Sequence, residues 1–266
     1  MNLNELQACC LDIAKDIDRV CEEYEIDYSL CGGSVIGAHL YQGFIPWDDD
    51  IDLMMTRENY DRFLEIYPHA AAPHYHLRHF TTDGTDNVPM LFARVEDTRT
   101  TVTEEIARTV RDGRVFVDIT VFDGVPNRAY LRLAHLYSGY VYTYLFRKNE
   151  MVPRTGWKRA IVNNLPGAKD DRHLLKKYES LNDFVRRRKG KGDPFCAELL
   201  SAAFSGILYE SRIFDAYVRV PFEDAHLMLV RDYEDYLFMR YGRREFPMEV
   251  PEDERQEQHI RTEDGV

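Results

Sequence analysis

The stretch "GFIPWDDDIDLMM", residues 43–55, sets Asp48, Asp49, Asp50 and Asp52 within five positions and then turns apolar. Like charges at that density repel, so the run calls for a counter-charge. On an extended strand, residues two apart project from one face with origins about 6–7 Å apart, so Asp50 and Asp52 can grip one cation between them. A further acid, Asp118, interrupts "RVFVDITVF" between Val117 and Ile119. A charge among such apolar neighbours is costly unless it is paired or bound to a metal. Asp50, Asp52 and Asp118 therefore read as a ligand set for Mg2+, a hard ion that prefers oxygen, with Mn2+ as its substitute. Asp49, on the opposite pleat, reads as a cap or as the partner of a basic group.

Phosphates often supply the remaining ligands of such an ion, and "CGGSVIGAH", residues 31–39, offers a place for them. A strand leads into a Gly32–Gly33 turn whose backbone can approach a ligand closely, and Ser34 stands at a helix start where N–H groups attract anions. Arg94, within the strand "MLFARVED", reads either as a contact to a donor phosphate or as half of a surface ion pair. Trp47 reads either as an aromatic face for a cation or as packing beside Pro46. Glycines after a strand are commonly a plain turn, and acids in a run are commonly a solvated face. What makes the pattern specific is their order. An EF-hand is excluded, because Asp48, Asp50 and Asp52 are followed by Leu53 where that loop needs Gly and by Asn59 where it needs Glu.

The elements that position these residues follow from periodicity. Leu3, Leu6, Cys10, Ile13, Ile17, Val20 and Tyr24 step by three and four, which predicts a first helix. Ile26, Tyr28 and Leu30 alternate as a strand, and "VIGAHLY" predicts a short helix. Residues 50–55 alternate again. Thr56 is placed as the N-cap of a helix with the stripe Tyr60, Phe63, Leu64 and Tyr67. Strands are predicted at "MLFARVED" and "RVFVDITVFDG", and beyond "GVPNR" the texture turns helical. Residues 1–126 thus read as the catalytic core, and 127–266 as a helical region packed on it rather than an independent domain.

Composition narrows the class. The chain of 266 residues carries 46 acids against 34 Lys and Arg, a formal net charge of −12, which opposes general binding to nucleic acid. Five cysteines, Cys9, Cys10, Cys21, Cys31 and Cys196, form no C-x-x-C pair, so a reducing, cytoplasmic setting is expected. The N-terminus lacks the basic start and apolar core of a signal peptide. Residues 129–146, "AYLRLAHLYSGYVYTYLF", contain Arg132 and His135 and fall short of a membrane span; a buried aromatic helix is the preferred reading over an interfacial one. "RRRKGKGD", residues 186–193, reads as a solvated loop, with docking on an anionic membrane as the alternative.

"YSLCGGSVIGAHLYQGFIPWDDDIDLMM" resembles the signature of the LicD family, the phosphocholine transferases of bacterial surface glycans, which include fukutin-like relatives within the nucleotidyltransferase superfamily. "RVEDTRTTV" (94–102), "VFVDITVFDGVP" (115–126) and residues 220–259 are similar to the later blocks of that family. The resemblance implies an α/β (α+β) fold: a nucleotidyltransferase-like mixed sheet flanked by helices, with a mostly helical C-terminal half. It implies Gly33 and Ser34 at nucleotide phosphates, Asp50 and Asp52 on Mg2+, Asp118 as third ligand or as base toward an acceptor hydroxyl, and Asp48 in a supporting or second-metal role. It also places a terminal histidine at His259. Two departures stand out. Relatives carry basic residues before G-F-I-P-W, where this chain has "AHLYQ" with His39 alone, and "FED" at 222–224 replaces "FEG".

The function implied is transfer of phosphocholine from CDP-choline, or of a polyol phosphate from a CDP-polyol, to a sugar hydroxyl of lipopolysaccharide or teichoic acid. Nucleotidyl transfer and a non-catalytic binding module are the alternatives. The partners expected are the CDP-activated donor, the glycan acceptor and, peripherally, the inner face of the membrane.

Overall fold

The computed structural model describes residues 1–84, 90–106, 109–148, 170–201, 206–252, 255 and 260–261. Helix α1, Leu3–Glu23, opens on a reciprocal cap in which Asn2 Oδ1 accepts from Glu5 N and Glu5 Oε2 accepts from Asn2 N, each at 2.9 Å. Its buried face is the expected one, Leu6, Cys10, Ile13, Ile17 and Val20. Strand β1, Ser29–Leu30, leads into helix α2, Gly32–Tyr41, and a loop then reaches strand β2, Asp52–Thr56. Thr56 caps helix α3, Arg57–Ala70, by accepting from Asn59 N, and Tyr60, Phe63 and Tyr67 beneath it are buried. Strand β3, Tyr75–Arg78, helix α4, Phe80–Asp83, and strand β4, Ala93–Asp97, follow. Then come the hairpin strands β5, Val102–Ile106, and β6, Thr109–Gly113, and the long strand β7, Phe116–Val125.

The main sheet runs β1-β2-β7-β4-β3, with β2 and β7 parallel and the other pairs antiparallel. Its centre, β7, buries Phe116, Val117, Ile119, Val121 and Phe122, the near-continuous apolar run of a strand covered on both faces. Against that background Asp118 is the exception that needs a reason. A bidentate pair, Arg57 Nε and Nη2 to Asp123 Oδ1 and Oδ2 at 2.7 and 2.8 Å, fixes the end of β2 to β7 inside the core.

Beyond β7 the chain forms helix α5, Arg128–Lys148, and helix α6, Asp171–Arg186. Strands β8, Phe195–Ala197, and β9, Tyr209–Glu210, extend the main sheet along the second half of β7. Strands β10, Tyr217–Phe222, and β11, Ala225–Val230, form a hairpin, followed by helix α7, Tyr233–Tyr241, and strand β12, Ile260–Arg261. Helices dominate the described part of this half, as expected, and five short strands join them. The hairpin docks on β1, where Met228 N donates to Tyr28 Oη and Val230 N to Ser29 Oγ. Strand β12 adds to the β5–β6 hairpin as a third strand.

Three local expectations change. The strand expected over 26–30 shortens to Ser29–Leu30. The strand expected over 50–55 begins at Asp52, so Asp50 lies in the loop ahead of it. The Gly-Gly turn merges with the first turn of α2, which spans Gly32–Tyr41, with Gly32 itself at a left-handed φ of +56°.

Candidate active site

The loop that carries the aspartates is held from three directions. Gln7 Nε2, on α1, donates to the carbonyl of Asp48 at 2.8 Å. At the turn between β10 and β11, Glu223 N donates to Gln42 O at 2.7 Å and Glu223 Oε1 accepts from Phe44 N at 3.1 Å. From the C-terminal strand, Ile260 N donates to Asp49 Oδ2 at 2.6 Å. So fixed, Asp48, Asp49 and Asp50 bring carboxylate oxygens to within 4.8 Å of one another. Strand alternation would have separated Asp49 from the others, but these residues precede β2, where no pleat operates. The buried Asp49 therefore joins the cluster while capping a backbone amide.

Asp52 opens β2 and stands in register with Asp118 on the parallel β7. Asp118 stands in register with Arg94 on β4. The three side chains form a row across the sheet. Arg94 Nε and Nη2 donate to Asp118 Oδ1 and Oδ2 at 2.7 and 3.0 Å, its Nη1 donates to Glu104 on β5, and its guanidinium lies over the Phe116 ring at 3.4 Å. Arg94 is thus a buried structural cation. Burial pushes the Asp52 carboxyl well above the usual range, the charges of Asp50, Asp118 and Asp48 push it the same way, and Arg240 opposes them. Asp118 is also raised by burial, against the strong opposition of Arg94. Carboxylate is in excess around Asp52, whereas Asp118 has its own cation.

Helix α2 begins against these acids. Gly32 has a φ of +56°, a left-handed conformation that side chains disfavour, and a Cβ there would lie 3.4 Å from Asp52 Oδ2. A Cβ on Gly33 would lie 3.0 Å from Asp48 Oδ2, so glycine lets that carboxylate approach the positive end of the helix. Gly32 N donates to Tyr236 Oη at 2.9 Å, and the buried Ser34 Oγ accepts from Asp52 N at 3.0 Å. Two groups expected to face phosphate therefore also knit α2 to α7 and β2.

Arg240, Tyr236 and Glu104 escaped sequence reasoning. Arg240 Nη1 bonds Glu198 Oε1 at 2.7 Å, and its Nη2 lies 3.7 Å from the Cβ position of Gly32. It supplies, from α7, a cation beside the start of α2, whereas "AHLYQ" at the far end of that helix has His39 alone. Its signal was the basic run in "FMRYGRRE", 238–245, which carries no spacing cue. His39 Nδ1 meets Tyr233 Oη at 3.2 Å. Trp47 is half-buried, and the Arg255 guanidinium lies over its ring at 4.6 Å, so a cation of the chain itself already occupies that face. His259 lies outside the described residues.

The carboxylates in register on parallel strands, beside a helix that starts on glycine, sit in a mixed sheet flanked by helices, a fold of the α+β class. Residues 25–130 match the family described as LicD/FKTN/FKRP, nucleotidyltransferase domain. That match spans the acid loop and strands β2, β4 and β7, and it is a transferase domain of the LicD type that the chain resembles there. The chain is 29% identical over 273 residues to the lipopolysaccharide cholinephosphotransferase LicD of Haemophilus influenzae, a match covering 98% of this chain and 97% of the other. An uncharacterised protein of Rickettsia typhi is 31% identical over 78 residues, 29% of this chain and 25% of its own length.

Proposed function

We propose that the protein transfers phosphocholine from CDP-choline to a sugar hydroxyl of lipopolysaccharide, using Mg2+. The observation that carries this reading is the excess of carboxylate around Asp52, in a chain matched over 98% of its length by a lipopolysaccharide cholinephosphotransferase. Asp48 and Asp50, whose oxygens lie within 4.8 Å of each other and of Asp49, would hold the ion with Asp52, whose carboxyl feels the charges of both; hard oxygens suit Mg2+ or Mn2+, and a divalent cation would relieve the repulsion. When bound, the ion neutralises charge on the donor pyrophosphate and eases departure of CMP.

The remaining work falls to the chain's own side chains. Asp118, oriented by the two donors of Arg94, takes the proton of the acceptor hydroxyl as its oxygen attacks the phosphorus of phosphocholine. A carboxyl raised by burial is a stronger base than one in water. Arg240, beside the start of α2, attracts the donor phosphates. Trp47 offers its ring to the trimethylammonium group once Arg255 yields it.

Calorimetry with CDP-choline, CDP-ribitol and CDP-glycerol tests the donor: tightest binding of CDP-choline supports the reading, and preference for a polyol moves it to polyol-phosphate transfer. The nucleotidyltransferase description of the matched domain favours a second reading, transfer of a nucleoside monophosphate. The two differ in which half of the donor reaches the acceptor.

A further inference from the structure

No Asp or Glu occurs in the 21 residues of α5, Arg128–Lys148, although the chain has 46 of them. The inner face of this helix buries Leu131, Ala134, Val141, Tyr142 and Leu145. Helix α6 covers one flank, with Tyr130 stacked on Phe184 at 5.2 Å and Tyr137 Oη donating to Ser180 Oγ at 2.6 Å. The outer face repeats the three-and-four spacing a second time. Leu133, Leu136 and Tyr140 lie along it with exposures of 54%, 71% and 39%. A helix that is apolar inside needs no second apolar ridge to fold; one facing water is a cost unless something covers it.

Charge indicates what covers it. Arg128 and Arg132 are exposed beside Leu133 and Leu136. Because Phe184, near the end of α6, meets Tyr130, near the start of α5, the basic stretch after α6 lies at the same end. There Arg186 and Lys189 are engaged by Asp61, and Arg188 by Asp193. Arg187 and Lys191 are exposed and, like Arg128 and Arg132, form no ion pair among the described residues. Four exposed cations with no ion pair among the described residues, gathered toward the start of the helix that carries these leucines, are unexpected in a chain of net charge −12. Apolar side chains flanked by Arg and Lys match an anionic bilayer surface, where leucines enter the acyl boundary and cations meet lipid phosphates. A second copy would bring the same cations toward one another. No helix of the described residues is long and apolar enough to cross a membrane, so the helix would lie in the interface.

We propose that Leu133 and Leu136 on α5, with Arg128, Arg132, Arg187 and Lys191, dock the protein on an anionic phospholipid surface. The inference is independent of the chemistry proposed above, because vesicle binding is read without donor or acceptor. Flotation of the full chain with phosphatidylcholine vesicles, and with equimolar phosphatidylcholine and phosphatidylglycerol, tests it. The expected result is binding to the anionic vesicles, lost at high salt and weakened at least about tenfold by Leu133→Ser with Leu136→Ser. Arg128→Gln with Arg132→Gln should weaken binding too, and the melting temperatures of both variants should stay near that of the parent. Absence of binding, equal binding to neutral vesicles, or variants that bind like the parent would overturn the proposal. So would a dimer in solution that the leucine changes dissolve, since the ridge would then belong to a second copy.

Discussion

Asp118 gives both carboxylate oxygens to Arg94 while standing in register beside Asp52. Neighbouring acids on one sheet are thereby given different electrostatic roles. Asp118 is balanced by a buried guanidinium that also holds Glu104. Asp52 lies near Asp50 and Asp48 with Arg240 as the opposing cation, and its carboxyl is held high. One acid is paired and oriented by a guanidinium, and the other lies in a surplus of negative charge.

Removing the Asp52 charge should therefore help the metal-free fold and harm the enzyme. An acid whose pKa is raised by folding lowers stability as pH climbs above the ordinary carboxylate range, and the loss levels off above the folded pKa. Asp52→Asn should melt higher than the parent without divalent ions, by a margin that is absent near pH 4 and grows toward neutrality. Mg2+ should raise the parent's melting temperature and leave that of the variant nearly unchanged, while turnover falls at least about a hundredfold. Thermal scans across pH with and without Mg2+ check this.

Arg94→Ala would remove the guanidinium shared by the buried Glu104 and the half-buried Asp118. The expected loss is about 3–5 kcal/mol, the scale of breaking a buried ion pair from one side. Asp118→Asn added to Arg94→Ala should recover part of it, because an amide is less costly to leave unpaired. Urea unfolding of both single variants and the double variant measures the coupling.

Ser34 separates a structural from a nucleotide-facing role. Its Oγ accepts the Asp52 amide in a buried position, so Ser34→Ala leaves that N–H without its partner and should cost about 1–3 kcal/mol in the ligand-free protein. A side chain serving phosphate alone would leave ligand-free stability unchanged. Denaturant titration without nucleotide tells these apart.

Asp49→Ala should free the C-terminal strand, because Asp49 Oδ2 accepts from Ile260 N and Ile260 stands opposite Glu104 in β5. The expected cost is about 1–3 kcal/mol, with faster hydrogen exchange at the β5–β12 pairing. Asp49→Asn keeps an acceptor oxygen and should retain most of the protection.

What could be read in advance, and what could not, follows from the range of each interaction. Local period gave α1, the Thr56 cap and α3, and an acid inside an apolar strand marked Asp118. The pairing of Asp118 with Arg94 and Glu104 leaves no local trace, because the partners meet only through sheet register. The β10–β11 hairpin was hidden for a chemical reason. Pro221 lies in a strand, and its turn uses Glu223 at a φ of +54° where Gly or Asn would have signalled a turn. Glu223 is held there by hydrogen bonds to the Gln42 carbonyl and the Phe44 amide, so the turn also braces the acid loop. Strand alternation set Asp49 on the opposite pleat from Asp48 and Asp50, but that segment is loop and the three cluster; the cap expected of Asp49 is present on Ile260 N.

The most direct test incubates the full chain with Mg2+, CDP-choline and lipopolysaccharide, and follows both CMP and the label on the acceptor. The expected result is acceptor-dependent release of CMP with choline label on the glycan, lost on chelation and in Asp52→Asn. No CMP with any glycan acceptor, together with nucleotide incorporated from a nucleoside triphosphate, would contradict phosphocholine transfer.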